Sequence, residues 1–117
     1  PRDRVVIRTA AEGETNRMTI SQQTVSREVV VGIPQGLHAR PADLLAREAQ
    51  RWQSRIEVVG SAQRVDGKSI LDLLTLAAEA GTRLVVEATG PDAEKAVAAI
   101  SQLFDRNFND SEHQTQS

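Results

Sequence analysis

The sequence contains no cysteine, and only 3% of its 117 residues are aromatic. Without cysteine the chain can form neither a disulfide framework nor a catalytic thiolate, a composition that suits the reducing cytoplasm. With so few aromatic residues, the hydrophobic core must be built from Ala, Val, Leu and Ile. No apolar run approaches the roughly 20 residues of a membrane-spanning helix, and no signal-peptide pattern opens the chain. We therefore expect one small cytoplasmic domain without membrane insertion.

The charge and the histidine content argue against further classes of function. The chain carries 14 basic and 16 acidic residues, a net charge of -2, which gives no electrostatic basis for nucleic-acid binding. It has two histidines and no HExxH motif, Cys/His cluster or nucleophile elbow. The sequence therefore predicts no metal site and no bound cofactor.

The stretch 36–42, GLHARPA, lies between a strand-like run and a helix-like run. His38 therefore falls at the start of a helix, where unpaired backbone N–H groups and the positive end of the helix dipole attract anions such as phosphate. The same field disfavours an imidazolium, so we expect this imidazole to be neutral and nucleophilic near neutral pH.

Two neighbours of His38 fit the same interpretation. Arg40 adds a permanent cation whose planar fork suits phosphate oxygens. Pro41 has a φ suited to helix entry, and the N–H that it lacks would be unpaired in a first turn anyway. By position alone, a histidine before a helix is more often a capping or surface residue. The residues thus allow both a phosphoryl acceptor and a purely structural histidine.

The segment 36–42 resembles the active-site motif of HPr, the histidine phosphocarrier family of the phosphoenolpyruvate-dependent phosphotransferase system. The resemblance continues through 66–71 (DGKSIL) and 87–91 (EATGP) to Phe104, about two thirds of the chain. It implies a monomeric carrier, not an enzyme, in which the δ1 nitrogen of His38 takes a phosphoryl group from phospho-enzyme I. The group then passes to a histidine or cysteine of an EIIA- or EIIB-type protein. Matching positions imply a ring of docking residues around His38: Leu37, Ala39, Leu44, Ile70 and Leu71.

The periodicity predicts secondary structure in the order βαββαβα. Strands are expected over 27–33, 56–59, 63–66 and 84–89, and helices over 39–51, 69–79 and 92–107. Trp52 continues the apolar face of the first helix and is predicted to lie in the core. Short links between strands favour an antiparallel sheet. We therefore predict an α+β fold, and the resemblance implies an open-faced β-sandwich in which three helices cover one face of four antiparallel strands.

The ends of the chain lack this regularity. Residues 1–25 are predicted to be a disordered extension, although residues 4–8 could form a short strand. The phosphocarrier domain is placed at 26–108. Residues 109–117 form a polar tail, in which His113 is expected to be solvated.

Ser69 has two interpretations. Directly before a helix-like run, it is an ordinary N-cap. The resemblance adds that an HPr kinase/phosphorylase phosphorylates the matching serine in many bacteria, which changes partner choice. A regulatory protein that binds such a kinase or a transcription factor is therefore the main alternative to sugar uptake. Segments 87–91 and 103–108 are similar to NPr, the nitrogen-related paralogue, whereas 66–70 is closer to HPr. Asp43 departs from the small or apolar residue usual in the family.

A different class of function is suggested by 62–69, AQRVDGKS, which has P-loop spacing except that Ala62 replaces the first glycine. A P-loop follows a buried strand of a larger parallel sheet and needs a carboxylate on another strand. Neither is expected in so short a chain, so nucleotide hydrolysis is disfavoured.

Overall fold

The computed structural model describes residues 5–9, as backbone only, and residues 23–109. The described residues form five strands and three helices. They are, in order, β1 (Val5–Thr9), β2 (Gln23–Val30), α1 (Ala39–Gln50), β3 (Arg55–Val59), β4 (Arg64–Asp66), α2 (Ile70–Thr75), β5 (Arg83–Thr89) and α3 (Ala93–Asp105). The strands form one sheet in the order β1-β2-β5-β3-β4, and every neighbouring pair is antiparallel.

Alternation along the strands separates a helix-covered face of the sheet from an open one. The register aligns Val25, Ala88 and Ile56 across three strands, and all three side chains are fully buried. The intervening positions are polar or half-buried, and on this open face Arg64 binds the carboxylates of Glu57 (2.6 Å) and Glu87 (2.7 Å). The prediction of an α+β open-faced sandwich with four antiparallel strands is therefore confirmed for β2, β5, β3 and β4.

The sheet has one strand more than predicted. β1 pairs with the outer edge of β2 over five residues, from Val5 opposite Arg27 to Thr9 opposite Gln23. The expectation of disorder is therefore wrong for residues 5–9, whereas the suggestion of a short strand there is confirmed. β2 also begins at Gln23, ahead of the boundary placed at 26. The physical reason is that an edge strand exposes a row of backbone groups, which the β-branched run in 5–7 can pair. Residues 10–22 and the tail 110–117, with His113, lie outside the described residues.

The second helix is much shorter than predicted. It ends at Thr75 rather than at Glu79, and Ala77 adopts a positive φ of 49°. Of the alanines that suggested a longer helix, Ala78 instead turns inward: it is buried, and its carbonyl accepts a hydrogen bond from the amide of Leu37 (2.8 Å). This tertiary contact outweighs the local helix propensity of the alanines.

Trp52 follows α1 and packs against the core, although it is half-buried and not fully inside the core as the helical spacing predicted. Its indole Nε1 donates to the Glu48 carboxylate at 3.1 Å, which satisfies the polar end of the ring. Trp52 therefore serves as packing at the end of α1.

Asp92 fastens the start of α3 to the chain that follows α1. Its carboxylate accepts hydrogen bonds from the hydroxyl of Ser54 (2.6 Å) and from the backbone amides of Gln53 (3.0 Å) and Ser54 (2.9 Å). The Ser54 hydroxyl is the largest influence that lowers the pKa of Asp92 below its usual value, and the two amides act in the same direction. Because this pKa is depressed in the folded state, the stabilisation is present above the ordinary carboxyl pKa and is lost as the pH falls.

Two buried serines offer a matched comparison. Ser54 is 1% exposed and bonded to Asp92, whereas Ser101 is fully buried on α3 and its hydroxyl has no hydrogen-bond partner among the described residues. We expect Ser54→Ala to lower the free energy of unfolding by about 1–3 kcal/mol, because it removes a donor to a carboxylate. Ser101→Ala should be neutral or stabilising by up to about 1 kcal/mol, because it removes an unsatisfied polar group. Urea unfolding measures both, and equal losses would contradict the assignment.

Candidate functional site

His38 occupies the N-cap position of α1. Its backbone is extended (φ -99°, ψ -163°), its side chain is exposed and makes no capping hydrogen bond, and its carbonyl accepts the amide of Ala42 at 2.9 Å. The predicted location at a helix start is therefore confirmed. The capping interpretation is not supported, because the imidazole does not bond the first turn. An exposed ring in this position is accessible to another protein.

The loop before His38 is shaped by a second loop. Gly36 has a φ of +82°, and a Cβ at this position would lie 2.5 Å from the carbonyl oxygen of Ala78. The amide of Leu37 bonds that same oxygen, and the amide of Gly36 bonds the carbonyl of Ile33 at 2.8 Å. The chain after α2 thus holds the segment that presents His38. Sequence reasoning missed Ala78, since a small apolar residue after a helix gives no sign of such a contact.

The first turn of α1 can receive an anion. The amides of Ala39 and Arg40 come before the first intrahelical bond, and Pro41 is buried in the turn without an N–H of its own. Arg40 is exposed. The positive end of a 12-residue helix therefore lies directly beside the imidazole of His38, where a phosphoryl group would be stabilised.

The predicted docking residues divide by exposure. Leu37, a candidate for the docking ring, is only 4% exposed: its side chain packs in the core and offers a partner almost no surface, and its amide bonds the carbonyl of Ala78. Ala39 is exposed, Leu44 and Ile70 are half-buried against the core, and Leu71 is 75% exposed. Leu74, one helical turn after Leu71, is also exposed and was not predicted. Its spacing of three residues from Leu71 was the available signal.

Ser69 caps α2, as its position predicted. Its hydroxyl accepts a hydrogen bond from the amide of Asp72 at 3.1 Å. The preceding residue, Lys68, makes two hydrogen bonds to the end of α1. Its ammonium donates to the carbonyl of Trp52 (2.8 Å), and its carbonyl accepts from the side-chain amide of Gln50 (2.9 Å). These bonds hold the start of α2 beside α1.

The same contacts exclude the P-loop. The strand before Lys68 is β4, a three-residue antiparallel strand at the end of the sheet, not a buried parallel strand. The helix after it has only six residues, and the ammonium of Lys68 is bonded to Trp52. Within the part of the chain that the structure describes, no group of three acidic, histidine or cysteine side chains could hold a metal, and no helix is long and apolar enough to cross a bilayer.

Comparison with known proteins gives a consistent result. The family model described as "PTS HPr component phosphorylation site" matches residues 25–106. The phosphocarrier protein HPr of Mycoplasma capricolum is 40% identical over 69 residues, 59% of this chain and 78% of that protein. The crystal structure of HPr-C-His from Thermoanaerobacter tengcongensis superposes with a TM-score of 0.69 at 31% identity, covering 71% of this chain and 93% of that one.

A third relative is a longer protein. The phosphoryl donor subunit DhaM of the PEP-dependent dihydroxyacetone kinase from Providencia stuartii is 33% identical over 103 residues. That match covers 87% of this chain but only 22% of DhaM, and it is longer than the stretch 25–106. The similarity to DhaM therefore includes residues outside the family model.

Proposed function

The chain belongs to the HPr family of phosphocarriers of the phosphotransferase system, and we propose that it accepts a phosphoryl group from phospho-enzyme I on the δ1 nitrogen of His38. The observation that supports this most directly is the exposed imidazole at the N-cap of α1, which makes no capping bond of its own. The proposed carrier then donates the group to EIIA- or EIIB-type proteins, in the cytoplasm and as a monomer.

The proposed transfer needs no catalytic carboxylate. The lone pair of the δ1 nitrogen forms a bond to phosphorus while the bond from phosphorus to the donor breaks in line with it. A neutral ring gives up no proton, so no general base is required. The amides of the first turn of α1, and the cation of Arg40, offset the charge on the phosphoryl oxygens. Binding must stay weak, because the group has to leave again.

Arg40→Ala should slow phosphorylation of His38 by about tenfold to a hundredfold, because it removes one cation from the phosphoryl oxygens. Stability should change by about 0.5 kcal/mol or less, as for most exposed residues. Rapid quenching followed by mass measurement gives the rate, and a thermal melt gives the stability. The control is Arg55→Ala, which removes an exposed arginine from the first residue of β3, at the opposite end of the sheet. Equal slowing by both variants would contradict a role for Arg40.

Partner docking is proposed for the exposed part of α1 and α2. Ala39 lies beside His38, and Leu44 and Ile70 extend the surface toward Leu71. A small apolar patch of this kind suits short-lived encounters better than a permanent complex. We also place Leu74 in this docking patch.

Regulation through Ser69 remains an alternative proposal. Phosphorylation would replace the capping hydroxyl that Asp72 now bonds and would add a dianion to the start of α2. It would also place charge next to the docking residues Ile70 and Leu71, so partner choice between transport and regulation would change. Incubation with a cognate kinase and ATP tests this, and the absence of phosphate on Ser69 would remove the alternative.

The similarity to DhaM favours a second candidate. That match extends beyond residues 25–106, so the chain resembles the phosphoryl donor subunit in a stretch that the HPr family model does not include. In this candidate His38 carries the same phosphoryl group, and the final acceptor belongs to a dihydroxyacetone kinase system. Supplying phosphorylated protein separately to EIIA-type proteins and to such a kinase distinguishes the two acceptors.

The proposed function is tested by incubating the chain with phosphoenolpyruvate and enzyme I. Mass measurement should show the gain of one phosphate that is lost in mild acid, because phosphohistidine is acid-labile and phosphoserine is not. A chain that gains no phosphate from active enzyme I, or gains an acid-stable one, would contradict the proposal.

A further inference from the structure

An ion pair lies on the exposed face of α1, one turn beyond Arg40. The Nε of Arg47 donates to both carboxylate oxygens of Asp43, at 3.0 and 3.1 Å. The Asp43 side chain is 36% exposed and that of Arg47 is 73% exposed. Arg40, Asp43 and Arg47 follow one another at spacings of three and four residues, so they share one face of α1, which begins two residues after His38.

The next arginine along this helix is also paired with a carboxylate. Arg51 continues the row four residues after Arg47, and its guanidinium pairs with the carboxylate of Glu48 at 3.2 Å. On the neighbouring helix, Asp72 is exposed next to Leu71. Arg47 and Arg51 are thus each offset by a carboxylate on the same helix, which lowers the net positive charge of this side of α1.

The pair between Asp43 and Arg47 matters little for folding. Exposed ion pairs contribute little to stability, and i,i+4 pairs on helices are no exception. Its larger effect is on the field that an approaching molecule meets, because a carboxylate 3 Å from a guanidinium cancels most of its charge at a distance.

The proposed partner is negatively charged at the point of contact. A protein that delivers a phosphoryl group brings a charge of about -1.5 to -2 to His38. Such a partner would be attracted by Arg47 if that cation were unmasked. This step rests on the proposed phosphoryl transfer to His38.

We propose that Asp43 is a specificity-determining residue, which masks Arg47 and so weakens the docking of the anionic, phosphoryl-bearing partner at His38. Its effect lies in the encounter and not in the transfer step, since the carboxylate is bound to Arg47. Partners with strongly acidic docking faces are disfavoured by Asp43, and partners that bind through apolar contacts with the docking patch are affected less.

The test compares wild-type protein with Asp43→Asn, which keeps the shape of the side chain and removes its charge. The rate of transfer from enzyme I phosphorylated with phosphoenolpyruvate is measured at about 0.02 M and 0.5 M NaCl. At low salt we expect Asp43→Asn to raise kcat/KM by roughly threefold to tenfold through a lower KM, with kcat unchanged. At high salt the gain should disappear.

Two further variants separate masking from other causes. The double variant Asp43→Asn with Arg47→Gln should return to the wild-type rate, since no cation is left to unmask. Glu94→Gln, which changes the net charge equally at an exposed position of α3, should have no effect, because the start of α3 follows the end of β5 that lies away from His38. This inference alone is overturned if the wild-type protein accepts phosphate normally and the Asp43→Asn variant, at low salt, accepts it no faster than the wild type. Failure of wild-type His38 to accept phosphate would instead overturn the proposed function.

Discussion

Replacing His38 with alanine is expected to abolish the acid-labile phosphate completely. Among the described residues, His38 is the only imidazole at a helix N-terminus, and alanine offers no nucleophile in its place. The side chain is exposed and makes no capping hydrogen bond, so the free energy of unfolding should change by only about 0.5 kcal/mol. Mass measurement after incubation with phosphoenolpyruvate and enzyme I gives the phosphate content, and a thermal melt gives the stability.

The second histidine of the chain provides the matched control. His113→Ala removes an imidazole from the polar tail and should leave phosphate content unchanged. If His38→Ala kept one acid-labile phosphate and His113→Ala lost it, the carrier would be His113 and the assignment of the site would be wrong. Loss of phosphate together with a large fall in melting temperature would show that His38 acts through folding.

Gly36→Ala is expected to have the largest effect on stability, a loss of about 2–4 kcal/mol. A left-handed backbone costs a non-glycine residue about 1–2 kcal/mol. The new methyl group would also lie 2.5 Å from the carbonyl oxygen of Ala78, so one of the two loops must move. For a domain of this size the loss corresponds to a fall in melting temperature of about 10–20 °C. Because the same contact positions Leu37 and His38, phosphorylation should slow as well.

Gly81 allows the two contributions to be separated. It has a similar φ of +89°, but a Cβ there would meet nothing within 4 Å. Gly81→Ala should therefore cost only the backbone term, about 1–2 kcal/mol. The difference between the two variants in urea unfolding measures the close approach of Gly36 to Ala78. Equal losses would show that the loop contact does not contribute.

The exposure of the docking residues could not be predicted from the sequence alone. Leu37 and Leu71 are both leucines next to a functional position, yet one is 4% exposed and the other 75%. Leu37 lies in a loop whose direction is fixed by a backbone contact with Ala78, about 40 residues away. No local periodicity could have indicated that contact, whereas helical spacing would have added Leu74 to Leu71.

The sequence by itself determined the location of His38 at a helix start, the antiparallel four-stranded sheet, the capping role of Ser69 and the packing role of Trp52. All of these depend on local features, namely periodicity, turn residues and caps, which neighbouring residues specify. Only the tertiary structure decided the burial of Leu37, the early end of α2 and the pairing of β1 with the edge of β2. Each of these results from a competition among possible partners, and which partner wins depends on which segments and side chains the folded chain brings together.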